Sequence, residues 1–400
     1  MSLFSPLLRS KSYPLNKIYI SKDKLLSNYT YLSELQAGVR VAPVLKSNAY
    51  GHGIQLVGQI LDQKNPPFIC VDSLYEAYQL KKAGVKSEIL IMGYIDPRSL
   101  NGRKLPFSYV VFDLDQLRAI NEYQPGAKVH LFFDTGMHRE GFDTKDLKNL
   151  IRRLKPFSKV RIDGIMSHLA VPDKPDDPVT KLQLTNFRAA KLMILQQGYQ
   201  PTWFHLGGSF GLLNGLTKEC NVMRVGLSLF GYPTALSRTN SKLLPVLKMT
   251  SRIAQWKYVS KGEFIGYAKG FQAKSDMVIA VLPIGYNDGV DKRLSNKGEV
   301  FCKPVGLDDF GDKRSKVYDK LPHRVSCQVI GEISMNITTI ELSNAKKELG
   351  SKLPAVGDEV EIFSDDPLSP NSIENAAKLC STTPYELLVH LNPTTKREEV

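Results

Sequence analysis

Val41-Ala-Pro-Val-Leu-Lys-Ser-Asn-Ala-Tyr-Gly-His-Gly53 is a buried-strand pattern that ends in a cation. Residues 41–45 are apolar without alternation, as expected of a strand covered on both faces. Lys46 follows at the carboxyl end of that run, Ser47, Asn48 and Gly51 supply turn residues, and an apolar helix is expected over 54–61. A lone lysine is ordinarily a solvated surface residue. At the carboxyl end of a barrel strand it stands instead where parallel α/β barrels gather their reactive groups, and its amine can form a Schiff base with a carbonyl cofactor.

Outward from this stretch, apolar runs recur at 68–71, 89–92, 109–112, 129–133, 162–166, 203–206 and 222–225. Helical patterns separate several of them, at 74–83, 115–122, 145–154 and 181–197. Eight strands alternating with helices is the period of an α/β fold of the (β/α)8 TIM-barrel type. An open doubly wound sheet is the rival, but it usually carries G-x-G-x-x-G straight after its first strand, where this chain has Lys46. After about Leu244 the texture changes to short alternating runs with turn signals, such as 277–283, 285–289, 328–333 and 359–363, which predicts a mainly β carboxyl-terminal domain. The strand expected at 17–20 precedes the barrel and would be unpaired there, so it is assigned to the β domain. The predicted organisation is therefore a barrel over 21–243 and a β-rich domain over 244–400 joined by residues 1–20.

Composition narrows the function classes. With 400 residues, 42% hydrophobic and 23% charged, the chain has the make-up of a soluble two-domain enzyme. Its net charge of +13 is not gathered into a Lys/Arg run or a basic–aromatic pattern, so it favours anionic small ligands over nucleic acid. Five cysteines, Cys70, Cys220, Cys302, Cys327 and Cys380, never fall in a C-x-x-C pair, so neither a disulfide framework nor a metal site is expected. The first ten residues do not read as a secretory signal, and no apolar run is long enough to span a bilayer. A cytoplasmic protein without a membrane partner is expected.

A barrel should carry its chemistry at the carboxyl ends of different strands. Lys46 follows the first strand, Asp134-Thr-Gly-Met-His-Arg139 the fifth, Ser167-His168 the sixth and Gly207-Gly-Ser209 the seventh, while Arg224-Val-Gly226 lies in the eighth. These segments resemble those of the alanine racemase family, fold-type III enzymes whose lysine motif reads close to V-K-A-D-A-Y-G-H-G. Lys46, Ala49, Tyr50, Gly51, His52 and Gly53 match it. The resemblance implies pyridoxal 5'-phosphate bound to Lys46, with Tyr50, Ser209 and Gly226 at its phosphate. It implies that Arg139 lies near the cofactor's phenolic oxygen and holds the substrate carboxylate by charge-assisted hydrogen bonds. Arg224 would face the pyridine nitrogen and, being permanently charged, keep it unprotonated. The ring is then a weaker electron sink than one paired with a carboxylate, which favours racemisation over side reactions.

Inverting a stereocentre needs a proton removed on one face and delivered on the other. Lys46 is one base, and Gly262-Glu-Phe-Ile-Gly-Tyr267 resembles the family segment whose tyrosine comes from the other subunit. A free tyrosine has a pKa of about 10 and needs help at neutral pH, which a Tyr267–His168–Arg224 relay would give. Pro283-Ile-Gly-Tyr-Asn-Asp-Gly289 and Gly331-Glu-Ile-Ser-Met-Asn336 resemble two further family segments, and Met335 would meet the substrate carboxylate through its backbone N–H. The implied protein is a homodimeric isomerase with shared active sites that interconverts L- and D-alanine and supplies D-alanine for peptidoglycan.

The chain departs from the family pattern in its supports. Phe132 stands where many members have a carbamylated lysine, Gly208 replaces an asparagine, Glu332 an arginine, Asn336 an aspartate, and Pro393 falls where a second active-site tyrosine is common. Residues 306–322 read as a charged insertion. Loss of the second tyrosine widens the expected site, so a racemase of serine or of several small amino acids is the alternative on the same fold. A fold-type III decarboxylase would want a carboxylate at the position of Arg224, and a non-catalytic pyridoxal-phosphate carrier would lack the β domain.

Overall fold

A computed structural model describes residues 13–232, 242–302, 324–343 and 354–400. The residues described divide into two compact units, one spanning Ser21–Val246 and the other built from the residues before Ser21 together with those from Leu247 onward. Residues 306–322 and the first ten residues lie outside those described.

In the first unit the strands are parallel, and each predicted run becomes one. Strand β1 (Lys17–Ile20) belongs to the other unit; the ring is formed by β2 (Arg40–Pro43), β3 (Ile69–Val71), β4 (Ile89–Ile91), β5 (Ser108–Val111), β6 (Lys128–Asp134), β8 (Arg161–Met166), β9 (Trp203–His205) and β10 (Val222–Val225). A two-residue strand, β7 (Phe142–Asp143), adds to the end of β6. Neighbours pair in sequence order from β3 to β9. Closure comes from β10 against β2, with Val222 opposite Arg40 and Val225 opposite Pro43. The Val44–Cys70 bridge joins β2 to β3, and Asn221 N–H donates to the Phe204 carbonyl at 3.1 Å between β9 and β10. These strands are buried along almost their whole length, which explains their unalternating apolar sequence. Helices at Ile54–Asp62, Leu74–Lys82, Leu114–Tyr123, Leu147–Leu154 and Pro178–Gln196 fall within a few residues of their expected positions. Ser73, Asp113 and Asp146 cap three of them by accepting from backbone N–H groups in the first turn.

The second unit is mainly β. Strands β11 (Leu247–Arg252), β16 (Glu299–Cys302), β17 (Val325–Gln328), β19 (Glu359–Phe363) and β20 (Lys396–Glu399) form a six-stranded sheet with β1, in the order β17-β16-β19-β11-β1-β20. β1 runs antiparallel to β11 and parallel to β20. A second sheet holds β12 (Gln255–Val259), β15 (Met277–Leu282) and β18 (Thr338–Glu341), and β13 (Phe264–Ile265) pairs with β14 (Phe271–Gln272). The run expected over 328–333 is displaced: the strand is Val325–Gln328, and the chain then turns at Gly331, which has φ of +72°. Asn296 accepts the Gly331 N–H at 2.7 Å and fixes that turn.

Candidate active site

Lys46 leaves the end of β2 into the turn expected from Ser47, Asn48 and Gly51, but with a handedness that the sequence does not advertise. Ser47, Asn48, Ala49 and Tyr50 all have φ between 51° and 55°, a full left-handed turn built without glycine. Each such residue costs about 1–2 kcal/mol, so the turn must be held from outside. The Leu45 carbonyl accepts the Ala49 N–H at 2.8 Å, and Asn48 Oδ1 caps the next helix by accepting the Ile54 N–H at 2.9 Å. His52 Nδ1–H donates to the carbonyls of Ala49 and Tyr50 at 3.0 and 2.9 Å, while its ring stacks on Phe230 with centroids 4.0 Å apart. Strain of this kind concentrates where backbone geometry must aim a functional group.

The turn delivers Tyr50 to the end of β10. A Cβ on Gly226 would lie 2.4 Å from Tyr50 Oη, so only glycine admits the ring there. Gly226 N–H donates to Ser209 Oγ at 3.2 Å, which brings the two hydroxyls to one place. Gly208, one of the departures, suits its position: a Cβ would come within 3.3 Å of the Arg224 carbonyl. Two hydroxyls around a backbone too close-set for side chains form a cradle suited to an anion such as a phosphate.

Arg224 is buried and held on several sides. Nη1 donates to His205 Nδ1 at 2.6 Å and to the His205 carbonyl at 3.1 Å; Nη2 donates to the Ser167 carbonyl at 2.8 Å and meets His168 Nδ1 at 3.3 Å. A guanidinium has no lone pair to offer, so both histidines accept through Nδ1 and His168 carries its proton on Nε2. Burial, then the charges of Arg224, Arg139 and Lys46, push His168 down to about 3. His168 is therefore a neutral N–H donor at neutral pH. Thr135, Ser167 and Gln183 brace this corner: Ser167 Oγ donates to the Phe133 carbonyl at 2.7 Å, and Gln183 Nε2 donates to the His168 carbonyl at 2.8 Å.

Arg139 rides on the loop after β6. Asp134 Oδ1 accepts N–H groups from Gly136, Met137 and His138, each at 3.0 Å, and these bonds outweigh the effect of burial and lower its pKa. Phe132 is buried and gives Arg139 no polar support. Glu140 does: its two carboxylate oxygens accept from Arg139 Nε at 2.9 Å and Nη2 at 2.8 Å, a bidentate pair.

In the second unit Tyr267 sits in a tight turn between Gly266, with φ of +79°, and Ala268 and Lys269, with φ of 53° and 55°. It is 70% exposed, and Met335 is 56% exposed. The Gly285–Gly289 turn is strapped to Met335, since Tyr286 N–H donates to the Ser334 carbonyl and Asn287 N–H to that of Met335. Glu332 pairs with Lys292 at 3.0 Å, and a Cβ on Gly266 would lie 3.2 Å from the Glu332 nitrogen. Tyr267, Glu332 and Met335 thus belong to connected turns of one unit. Asn392 Nδ2 donates to the Asn287 carbonyl at 3.0 Å, which places Pro393 beside the same turns.

An eight-stranded parallel barrel with an amine at its first strand end and an arginine in its last, followed in sequence by a mainly β unit, has the architecture of fold-type III racemases. The chain belongs to the alanine racemase family: models of that family's N-terminal and C-terminal domains match residues 20–234 and 246–399. It is 32% identical over 366 residues to the alanine racemase of Citrifermentans bemidjiense, covering 88% of this chain and 89% of that one. The fold matches the alanine racemase of Clostridium difficile 630 with a TM-score of 0.82 at 24% identity, over 98% of this chain and 97% of that one. It also matches the Bartonella henselae alanine racemase with covalently bound pyridoxal phosphate, with a TM-score of 0.76 at 22% identity, over 97% and 100% of the two chains. No helix among the described residues is long and apolar enough to cross a membrane.

Proposed function

We propose that this protein is a pyridoxal-phosphate-dependent racemase that interconverts L- and D-alanine by two bases, Lys46 and Tyr267, and so supplies D-alanine for peptidoglycan. The observation that carries the reading is the setting of Arg224: a buried guanidinium whose partners are carbonyls and neutral imidazoles, on the same barrel as the Lys46 turn and the Tyr50–Ser209–Gly226 cradle. The donor set fits the cofactor, with an amine for its carbonyl, hydroxyls for its phosphate, and a fixed cation for its ring nitrogen. When bound, the cofactor supplies a carbonyl for amine condensation and an electron-withdrawing ring that acidifies the substrate's Cα–H.

The chain's own groups then divide the work. Tyr50 Oη and Ser209 Oγ donate to the phosphate. Arg224 presents N–H and positive charge to the ring nitrogen and thereby limits how much charge the ring accepts. Arg139, oriented by Glu140, and the Met335 backbone N–H hold the substrate carboxylate. Lys46 Nζ takes or returns a proton on one face. Tyr267 Oη serves the other, with His168 Nε2–H as the neutral donor to its oxygen. The exposure of Tyr267 and Met335 on their own unit supports their contribution to a second copy's site, so the active form is a homodimer.

The test is turnover of a panel of L- and D-amino acids by the purified protein with pyridoxal phosphate, read by chiral chromatography. Interconversion of alanine ahead of other amino acids is expected. A preference for serine would keep the mechanism and move the substrate, in line with Pro393 offering no hydroxyl beside the Asn287 turn. No interconversion despite bound cofactor would end the racemase reading.

A further inference from the structure

Arg224 begins a chain of buried polar groups that continues inside the barrel. Beyond His205, whose Nδ1 it contacts, His205 Nε2 lies 2.8 Å from His130 Nδ1. Both imidazoles are fully buried, and Phe68 lies edge-on to His130 with centroids 5.3 Å apart. Strand β8 makes room for the His130 ring: a Cβ on Gly164 would lie 2.4 Å from its Nδ1. The pairing of β6 with β8 shifts register between Val129 and His130, so that Asp163 is the extra residue on β8. Bulges re-aim side chains, and the Asp163 side chain is only 2% exposed. Its Oδ1 accepts from Arg161 at 2.5 Å and from Thr202 at 2.8 Å. Its Oδ2 lies 3.6 Å from Lys128 Nζ and, like His130 Nε2, has no hydrogen-bond partner among the described residues. Carboxylate oxygens of Glu88 and Asp163 and a ring nitrogen of His130 lie within 4.8 Å of one another.

Proton positions along this chain follow from elementary chemistry. A guanidinium only donates, so His205 Nδ1 is the acceptor. A neutral imidazole then keeps its single proton on the other nitrogen, and His205 Nε2–H donates to His130 Nδ1. By the same rule His130 carries its proton on Nε2. Both rings are neutral: burial pushes His130 to about 3 and His205 well below the usual histidine range. The wire therefore has one polarity and ends as the His130 Nε2–H, on a ring that lies beside the Glu88 and Asp163 carboxylates. A divalent cation among Glu88, His130 and Asp163 would need a lone pair on His130 Nε2. That would move both imidazole protons to Nδ1 and set two donors against each other across the 2.6 Å between His205 and Arg224. Lys128 also pairs with both carboxylates already.

We propose that His130 and Asp163 are positioning residues for Arg224. Asp163 accepts the His130 Nε2–H through one bridging water, and so holds the His130 and His205 tautomers that Arg224 requires and the direction in which Arg224 presents its one N–H not engaged by His205, Ser167 and His168. The proposal rests on the reading of Arg224 as the group that faces the cofactor's ring nitrogen. It gives residues at the starts of β6 and β8, on the barrel face usually associated with stability, a part in tuning the site.

The test is ring-nitrogen NMR of holoenzyme labelled with ¹⁵N-histidine, assigned with His130→Gln and His205→Gln and recorded at pH 7 and 5. Both histidines are expected as neutral Nε2–H tautomers at both values. Asp163→Leu is expected to shift both sets of resonances and lower kcat for alanine about tenfold at unchanged KM, as loss of one buried acceptor would. Asp163→Asn, which keeps an acceptor oxygen, should restore most of that kcat. An Nδ1–H tautomer or a cationic ring at either position would overturn the proposal, as would an Asp163→Leu protein with wild-type spectra and kcat. The tautomers are read on the unaltered chain, so a contrary tautomer overturns the proposal even where a variant fails to fold. They are also independent of turnover, so a wild-type protein that does not racemise alanine would show a failure of the functional reading separately.

Discussion

Replacing Gly226 by alanine tests the phosphate cradle with a perturbation of known size. The added Cβ would sit 2.4 Å from Tyr50 Oη and 2.9 Å from Cζ, against ordinary contacts that begin at 3.4 Å. The hydroxyl must therefore retreat by about 1 Å, enough to spoil one hydrogen bond. Tyr50 has little freedom to adjust, because its backbone lies in the left-handed turn and its ring is 5.7 Å from that of Phe230. A hydrogen bond to a charged phosphate is worth about 1.5–3 kcal/mol, so the Kd for pyridoxal phosphate should rise about 10- to 150-fold. The assay is titration of the stripped protein with cofactor, followed by visible absorbance. Tyr50→Phe removes the same donor without the clash and should give a loss of similar size. Adding Gly226→Ala to Tyr50→Phe should cost less than it does alone, since the two act on one bond. A Gly226→Ala protein that binds the cofactor within twofold of wild type would refute the reasoning.

Lys46→Ala should abolish the visible absorbance of the lysine-bound cofactor, and cofactor still covalently attached would remove Lys46 from that role. Tyr267→Phe should lower kcat in both directions by about 10²- to 10⁴-fold with the cofactor absorbance unchanged, and near-normal turnover would exclude it as a base. Glu140→Gln should raise KM for alanine by about two- to fivefold, an effect that shrinks in high salt because the pair with Arg139 is partly exposed; an unchanged KM would mean that Arg139 is positioned otherwise. His130 and His205 are held neutral in the fold, so below the unfolded value of about 6.5 only the unfolded chain takes up their protons, and stability falls as pH drops from there, for His130 until about 3. At pH 5.5 each should remove about 1.3 kcal/mol relative to pH 7, so urea titrations should show His130→Phe losing less on acidification than wild type, and equal losses would contradict the burial argument.

The barrel was legible because its strands are buried on both faces, so Ile69–Val71, Ser108–Val111 and their neighbours announce themselves as apolar runs. The left-handed turn at Ser47–Tyr50 was not. Apart from glycine, only asparagine commonly marks that conformation in a sequence, and here it is held by local bonds from Asn48 and His52 and by the stacking of His52 on Phe230, which forms only once the barrel closes. His130 and His205 lay inside runs read as strand. Period alone does not tell an inward-facing polar residue of a barrel from an outward-facing one, although a histidine in each of two such runs was the available signal. Glu140 was visible as a charge beside Arg139, but its bidentate grip depends on the turn that Asp134 imposes through three backbone bonds. The run expected at 328–333 was displaced because Asn296, more than thirty residues away, fixes the turn at Gly331.

The departures from the family pattern divide between the two units, and Gly208 is the one that lies beside the Arg224 backbone. Around Arg224, His205, His168 and the Ser167 carbonyl engage four of the five N–H groups. Around Arg139 the expected lysine is the apolar Phe132, and an exposed carboxylate on the neighbouring residue takes up the guanidinium instead. The substitutions at Glu332 and Pro393 gather with Tyr267 on the turns of the second unit. A buried cation held by several partners tolerates little change, because removing one partner leaves another uncompensated. An exposed ion pair contributes little and can be exchanged for another. On the proposed roles, variation should therefore be admitted more readily where the substrate's carboxylate and side chain would be received than among the side chains that would set the ring's charge. On that argument this chain keeps the family's reaction and differs, if anywhere, in the range of amino acids it accepts.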